Sequence, residues 1–309
     1  MITSVFKKST PLNFSLVVFL ILGFFFIYQS QDWSWTNSAE LLFEKAAILL
    51  VLFGSVFVTN FISYKNGVSK DSGYVVLFFF LFLIFFPSLL DNLSLLLSNF
   101  FILLALRRLI SLQSLSASKE KIFDASLWIF VASLFHFWSI VYILLVFISI
   151  VFHVYRDYRN WILPFIAFFS TAVIFVMVSL VFKIDYLDYL YQNMQVDFDL
   201  YYFTNNYQNA ALSIYATAIL FFMISIIGSL SHRPLVLHTT YKKIIASLCI
   251  AIVVYLISPN KSNDLLVYTI APMAMLATSH IELPQIKLKQ EMVLVVLLLC
   301  SLFAFFFQL

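Results

Sequence analysis

The sequence predicts an all-α fold, a polytopic transmembrane helical bundle forming one membrane-embedded domain over residues 1–309. About eleven membrane helices are expected, four of them paired into two short hairpins. Three observations predict this. First, the chain is 63% hydrophobic and 11% charged with a mean hydropathy of +1.00, whereas a soluble domain averages about 25% charged residues. Second, polar breaks recur along the whole length, leaving apolar runs long enough to cross a bilayer and no stretch for a folded soluble domain. Third, Lys and Arg fall in alternate breaks, as the positive-inside rule requires. The basic residues are scattered, which argues against a nucleic-acid partner.

Taken in order, Lys7 and Lys8 precede the first apolar run, residues 12–27, which ends in FFFIYQSQDW without a small-residue cleavage pattern. It reads as an uncleaved signal anchor with its N-terminus cytoplasmic in a bacterial inner membrane. The first polar loop, residues 28–45, carries Asp32, Glu40 and Glu44 with Trp33 and Trp35 as interface anchors, and a second span at 46–62 returns to Lys65 and Lys70. From 74 to 106 the run is interrupted by Pro87, Asp91 and Asn92 and closed by Arg107 and Arg108. Pro87 disfavours helix at Phe86 and removes a donor, and both flanks are basic, so the run should enter and return with Asp91 at its outer tip. The same logic applies to 125–152, which lies between the basic segments 107–124 and 155–160. A hairpin turning near His136 keeps both on one side, whereas a single helix would invert everything after it. Both hairpins are expected to have limbs shorter than the ~17 residues usually needed to span.

Conventional spans follow at 161–182, 211–229, 244–257, 264–281 and 292–308, with an acidic outer connection at 183–210 and a basic inner loop at 231–243. This arrangement leaves only Lys45, Lys183 and Lys261 of the 18 Lys and Arg outside. Cys249 and Cys300 sit inside apolar runs and read as small buried hydrophobes. No internal repeat is visible, which weakens a transporter reading.

The same topology gathers Asp32, Asp91, Asp197 and Asp199 on the outer face with His136 beneath them and Lys261 nearby. A carboxylate near a low-dielectric surface can have a raised pKa and act as a general base, or hold a divalent metal with a phosphate. Exclusion of Lys and Arg from outer loops would by itself make those loops acidic. No cofactor follows from these residues.

The segments RRLISLQSLSASKEKIFDASLWIFVASLF, RDYRNWILPF and APMAMLATSHIE, with the start MITSVFKKSTPLN, resemble a multi-span inner-membrane family of Bacteroidota over nearly the whole chain. That resemblance implies the architecture and no activity. A broader architectural resemblance is to the C-type glycosyltransferases, in which a first outer loop bearing a catalytic acid is followed by short hairpins and later long spans. It implies Asp32 as the catalytic acid, with Asp91, His136, Asp197, Asp199 and Lys261 lining the substrate site. It also implies a polyprenyl-phosphate lipid as the donor. Asp32-Trp33 offers one acid where many such enzymes carry a pair. The alternatives are a non-enzymatic accessory or assembly subunit of an envelope complex, or a transporter.

Overall fold

The structure, a computed structural model, describes residues 2–182, 191, 193–198, 205–259, 261–284 and 286–309. Asp199, Asp185, Asp188 and Lys183 lie outside the described residues. Among the described residues the chain forms twelve α-helices and no strand. They are α1 (Ile2–Phe6), α2 (Pro11–Gln29), α3 (Ala39–Lys65), α4 (Tyr74–Leu83), α5 (Leu93–Ile110), α6 (Ser118–Phe135), α7 (Ile143–His153), α8 (Arg159–Phe182), α9 (Asn206–Ser229), α10 (Leu235–Ile257), α11 (Val267–Ile281) and α12 (Lys287–Gln308). Eight of these, α2, α3, α5 and α8 to α12, are long and apolar enough to cross a membrane, some with an adjoining 3₁₀ turn. With α4, α6 and α7 they make up the expected eleven, and the chain is a multi-pass membrane protein.

Local sequence explains most helix ends. Thr10 caps α2 ahead of Pro11, and the Ser38 and Asn92 side chains accept from the backbone of Leu41 and Leu95 to start α3 and α5. Helix α3 stops where Gly67 takes φ 69°, with the Val68 N–H donating to Ser63 O at 3.0 Å, the left-handed stop that glycine adopts at no steric cost. A Cβ on Gly54 would come within 3.0 Å of the Phe100 ring, so glycine here sets how closely α3 approaches α5.

Both expected interruptions are present. Helix α4 ends at Leu83, Phe86 is non-helical, and a 3₁₀ turn, Pro87–Asp91, leads to α5. The break leaves the Phe85 carbonyl without a donor from its own chain turn, and Gln308 Nε2 at the end of α12 donates to it at 3.0 Å. The second break falls at His136, whose backbone is extended, followed by the 3₁₀ turn Phe137–Tyr142. No Pro or Gly sits there. Tertiary bonds hold it instead, His136 Nε2 to Ser258 Oγ at 3.1 Å and Trp138 Nε1 donating to Gln195 O at 3.2 Å.

Hydrogen bonds between helix ends sort the bundle into two faces. At one, Tyr74 Oη donates to Thr3 O, Ser72 Oγ to Glu282, Gln113 Nε2 to Val236 O, and Lys119 pairs with Asp157. At the other, Gln29 donates to Asp91, Ser88 to Asp264 and Asn263 to Gln208 O, alongside the His136 and Gln308 bonds already described. Both interruptions lie at the second face, so each run does enter and return. Basic residues cluster at the first face; Lys45 and Lys261 are at the second.

The limb lengths differ from expectation. Only α4 and α7 are short, at 10 and 11 residues; α5 and α6 have 18 each and extend through most of the segment 107–124 expected as a loop. Arg107 and Arg108 sit in the last turn of α5, where cations complement the helix dipole rather than end the helix. The chain reverses in a short turn that puts Leu115 and Ala117 at positive φ. The expected loop 231–243 is likewise helical from Leu235, directly after Pro234. The limbs of the first hairpin are wedged apart, with α3 and α11 packed between them. Helix α11 is the axis of the bundle: every residue in it is buried, and α4, α9 and α10 surround it. Neither cysteine is the buried hydrophobe expected: Cys249 is exposed on the outer surface of α10, Cys300 is half-buried, and both are free thiols.

Candidate functional site

Three 3₁₀ turns meet at the acidic face, Pro87–Asp91, Phe137–Tyr142 and Asn263–Leu266. Two cavities open between them. One, of about 480 Å³, is lined by Tyr28, Glu44, Ser88, Asp91 and Asp264; the other, of about 210 Å³, by His136, Trp138, Asn193, Ser262 and Leu265. Asn92 and Ser94 line both, so the two form one polar cleft across the interrupted helices.

Asp91 and Asp264 in the cleft are each held by a partner from another element. Asp91, at the end of its 3₁₀ turn, forms an ion pair with Lys45 from the first turns of α3 and accepts from Gln29 Nε2 of α2 at 2.7 Å. Asp264 is buried and accepts from Ser88 Oγ. Of the three carboxylates that line the cleft, Glu44, Asp91 and Asp264, Asp91 is neutralised by a lysine and Asp264 is engaged by a hydroxyl. His136 stands at the far wall. Among the described residues no group of three His, Cys, Asp or Glu converges as metal ligands.

Of the residues singled out in the sequence, Asp91 and His136 do line this cleft. Asp197 and Lys261 lie at the same face, where the buried Lys261 ammonium donates to the Asp197 backbone carbonyl and stands 3.9 Å from its carboxylate. Lys261 thus pins the 193–198 segment. Asp199 lies outside the described residues. Asp32 is placed apart: it is exposed, lines neither cavity, and accepts from the Ser34 N–H and Oγ at 2.8 Å each. Those two bonds stabilise the carboxylate and hold its pKa below the usual range, the reverse of the rise expected from the membrane surface. Nearby Trp33 and Trp35 stack with ring centroids 6.0 Å apart, and Trp35 Nε1 donates to Gln29 O.

Two groups escaped the sequence reading. Asp264 is one; its place at the head of the least apolar long span is the signal the sequence offers. Lys243 was assigned to a loop and is fully buried, donating to Leu109 O at 2.6 Å and Ile110 O at 3.4 Å and lying 3.1 Å from His153 Nε2. It caps the carbonyl end of α5. Counting helix from Pro234 would have carried Lys243 inside.

No family model, curated protein or solved structure matches this chain.

Proposed function

We propose that the chain is a C-type glycosyltransferase-like enzyme of a bacterial inner membrane, oriented with its basic face in the cytoplasm. In this reading the acidic cleft opens at the extracytoplasmic surface and takes a polyprenyl-phosphate-linked donor. The observation that supports it is the Asp91–Lys45 ion pair beside the buried Asp264, in a cleft built from interrupted helices at one end of a membrane bundle. Irregular backbone at membrane depth is tolerated where it lines a cavity, and buried carboxylates suit proton abstraction.

Asp264, rather than Asp32, is the base in this scheme. It already accepts a hydroxyl hydrogen from Ser88, the same bond an acceptor alcohol would make. Proton transfer to Asp264 lets the acceptor oxygen form the new bond to the sugar carbon. The carbon–oxygen bond to phosphate breaks with its electron pair leaving on the polyprenyl phosphate. Lys45, released from Asp91, would offset that charge; removing such a group typically costs ~100-fold or more in rate.

Native mass spectrometry of the protein extracted with its lipids tests the reading. A retained polyprenyl phosphate, lost in Lys45→Met and kept in Asp32→Asn, supports it. Retention of bulk phospholipid alone overturns the lipid-donor assignment. In cells, Asp264→Asn should abolish function while Asp32→Asn retains it; a fully active, correctly inserted Asp264→Asn protein removes the base and favours a non-enzymatic subunit.

A further inference from the structure

The basic face holds a cavity of its own, of about 550 Å³, between the C-terminal turns of α3 and α5 and the first turn of α10. Lys65, Arg107, Arg108 and Lys121 line it, and no carboxylate does. Arg108 is paired with Asp124 at 2.9 Å, whereas the ion pairs among the described residues include none of Lys65, Arg107 and Lys121. The Arg107 guanidinium carbon and the Lys65 ammonium lie 4.6 and 5.2 Å from the centre of one ring, that of Phe61. Lys121 is fixed by bonds of 2.8 Å to Ser111 O and Ser114 Oγ, and it feels the charges of both Arg108 and Lys65. The aromatic ring draws two cations together, and their mutual repulsion in a concave site is relieved by an anion.

The surroundings say which anion. Leu50, Phe57 and Phe61 are exposed on α3 at spacings of seven and four, which puts them on one helix face. That apolar stripe runs down the bundle and ends at the cavity, whose opposite wall includes the exposed Val236 and its neighbour Leu237. A soluble phosphate compound would have no use for the stripe; an acyl chain would lie along it. We propose that the cavity binds the phosphate headgroup of an anionic membrane lipid, with one acyl chain on the Leu50, Phe57 and Phe61 face of α3. Basic pockets between membrane helices suit such headgroups. The site is separate from the acidic cleft and stands whether or not the cleft is catalytic.

The test uses the full chain, delipidated in a non-ionic detergent and titrated with phosphatidylglycerol, with phosphatidylcholine, or with inorganic phosphate. Binding is read as retained mass in native mass spectrometry and as thermal stabilisation. We expect one phosphatidylglycerol per chain, preferred over phosphatidylcholine by about ten-fold or more and weakened by salt. Replacing the exposed pair by Lys65→Gln with Arg107→Gln should remove the preference. Arg156→Gln with Arg159→Gln, which removes the same charge from the same face outside the cavity, should keep it. Equal binding of the two lipids, or equal loss in both paired variants, overturns the site. Displacement of the lipid by millimolar inorganic phosphate overturns the lipid assignment in favour of a soluble phosphate ligand. The salt dependence of the unaltered protein decides the matter should the double variant fail to fold.

Discussion

Helices α8 and α11 are both apolar membrane helices, yet they occupy opposite environments. Helix α11 is the less apolar of the two and is buried at every residue; α8 is the most apolar of the eight long spans, and only 17% of its apolar window is buried. A soluble protein would order them the other way. In a bilayer the lipid is as apolar as any side chain, so hydrophobicity gives a helix no reason to leave it. Polar groups do, because each needs a partner that lipid cannot supply. Helix α11 has them: Tyr268 Oη donates to Ser98 Oγ at 2.7 Å, Thr269 shares a 2.8 Å bond with Tyr215, Ser279 bonds to Tyr241, and His280 to Ser225. Polarity, rather than hydrophobicity, places the axis of this bundle.

The largest effect should come from adding to α11 a polar group with no partner. Ala274 lies at the middle of the helix and is fully buried. Ala274→Asp should prevent accumulation of folded protein, since an unpaired carboxylate at the centre of a membrane helix costs about 3 kcal/mol on insertion scales alone. A monodisperse, thermally unchanged Ala274→Asp protein on size exclusion would mean the centre admits water. A smaller loss is expected for Lys243→Met, which removes the buried Lys243 bonds to the Leu109 and Ile110 carbonyls at a cost of about 1–3 kcal/mol. Its thermal midpoint should fall accordingly. An unchanged midpoint would show that the cap on α5 is supplied by another group.

The placement of α11 also shows what the sequence could and could not reveal. The break at Pro87 was legible because proline removes a donor, and the break near His136 because charge alternation demanded a return with no breaker in sight. The extent of α5, α6 and α10 is not legible, since Arg107, Lys121 and Lys243 read as loop markers in a sequence where charge otherwise ends the spans. In the structure they lie within helices, Arg107 exposed at a carbonyl end and Lys243 buried against one. The site was half legible. Asp91 and His136 mark interruption tips, and topology puts both tips at one face. Their joining to Asp264 and Lys45 depends on α3 and α11 wedging between hairpin limbs, a tertiary fact with no local signature. Asp32 stood out only as the first outer acid, and its turn with Ser34 is a local feature that needs no site.

One of the polar bonds on α11 should contribute little. Tyr215→Phe removes the hydroxyl shared with Thr269, whose own hydroxyl still donates to Leu266 O at 2.6 Å. Interhelical hydrogen bonds in membranes average about 0.6 kcal/mol because the unfolded helices also find partners in the bilayer. Tyr215→Phe should therefore lower stability by roughly that amount in a detergent unfolding titration. A loss several times larger would mean that polar bonds on α11 lock the fold rather than only placing it.

The smallest effect belongs to α8. Phe169 and Leu180 are exposed at 66% and 74%, and each faces outward from a helix held mainly by α6 and α7. If these faces meet lipid, truncation trades one apolar contact for another, and neither a cavity nor an orphaned polar group results. Phe169→Ala and Leu180→Ala should each change stability by no more than about 0.5 kcal/mol, read from thermal midpoints in nanodiscs. The same variants in α11 would be cavity mutations, which typically cost about 2–5 kcal/mol. A loss of that size on α8, accompanied by a shift to smaller particles on size exclusion, would show that its outer face is packed against another protein chain. The contrast with α11 would then be one between two buried helices, and the apolarity of α8 would mark an interface.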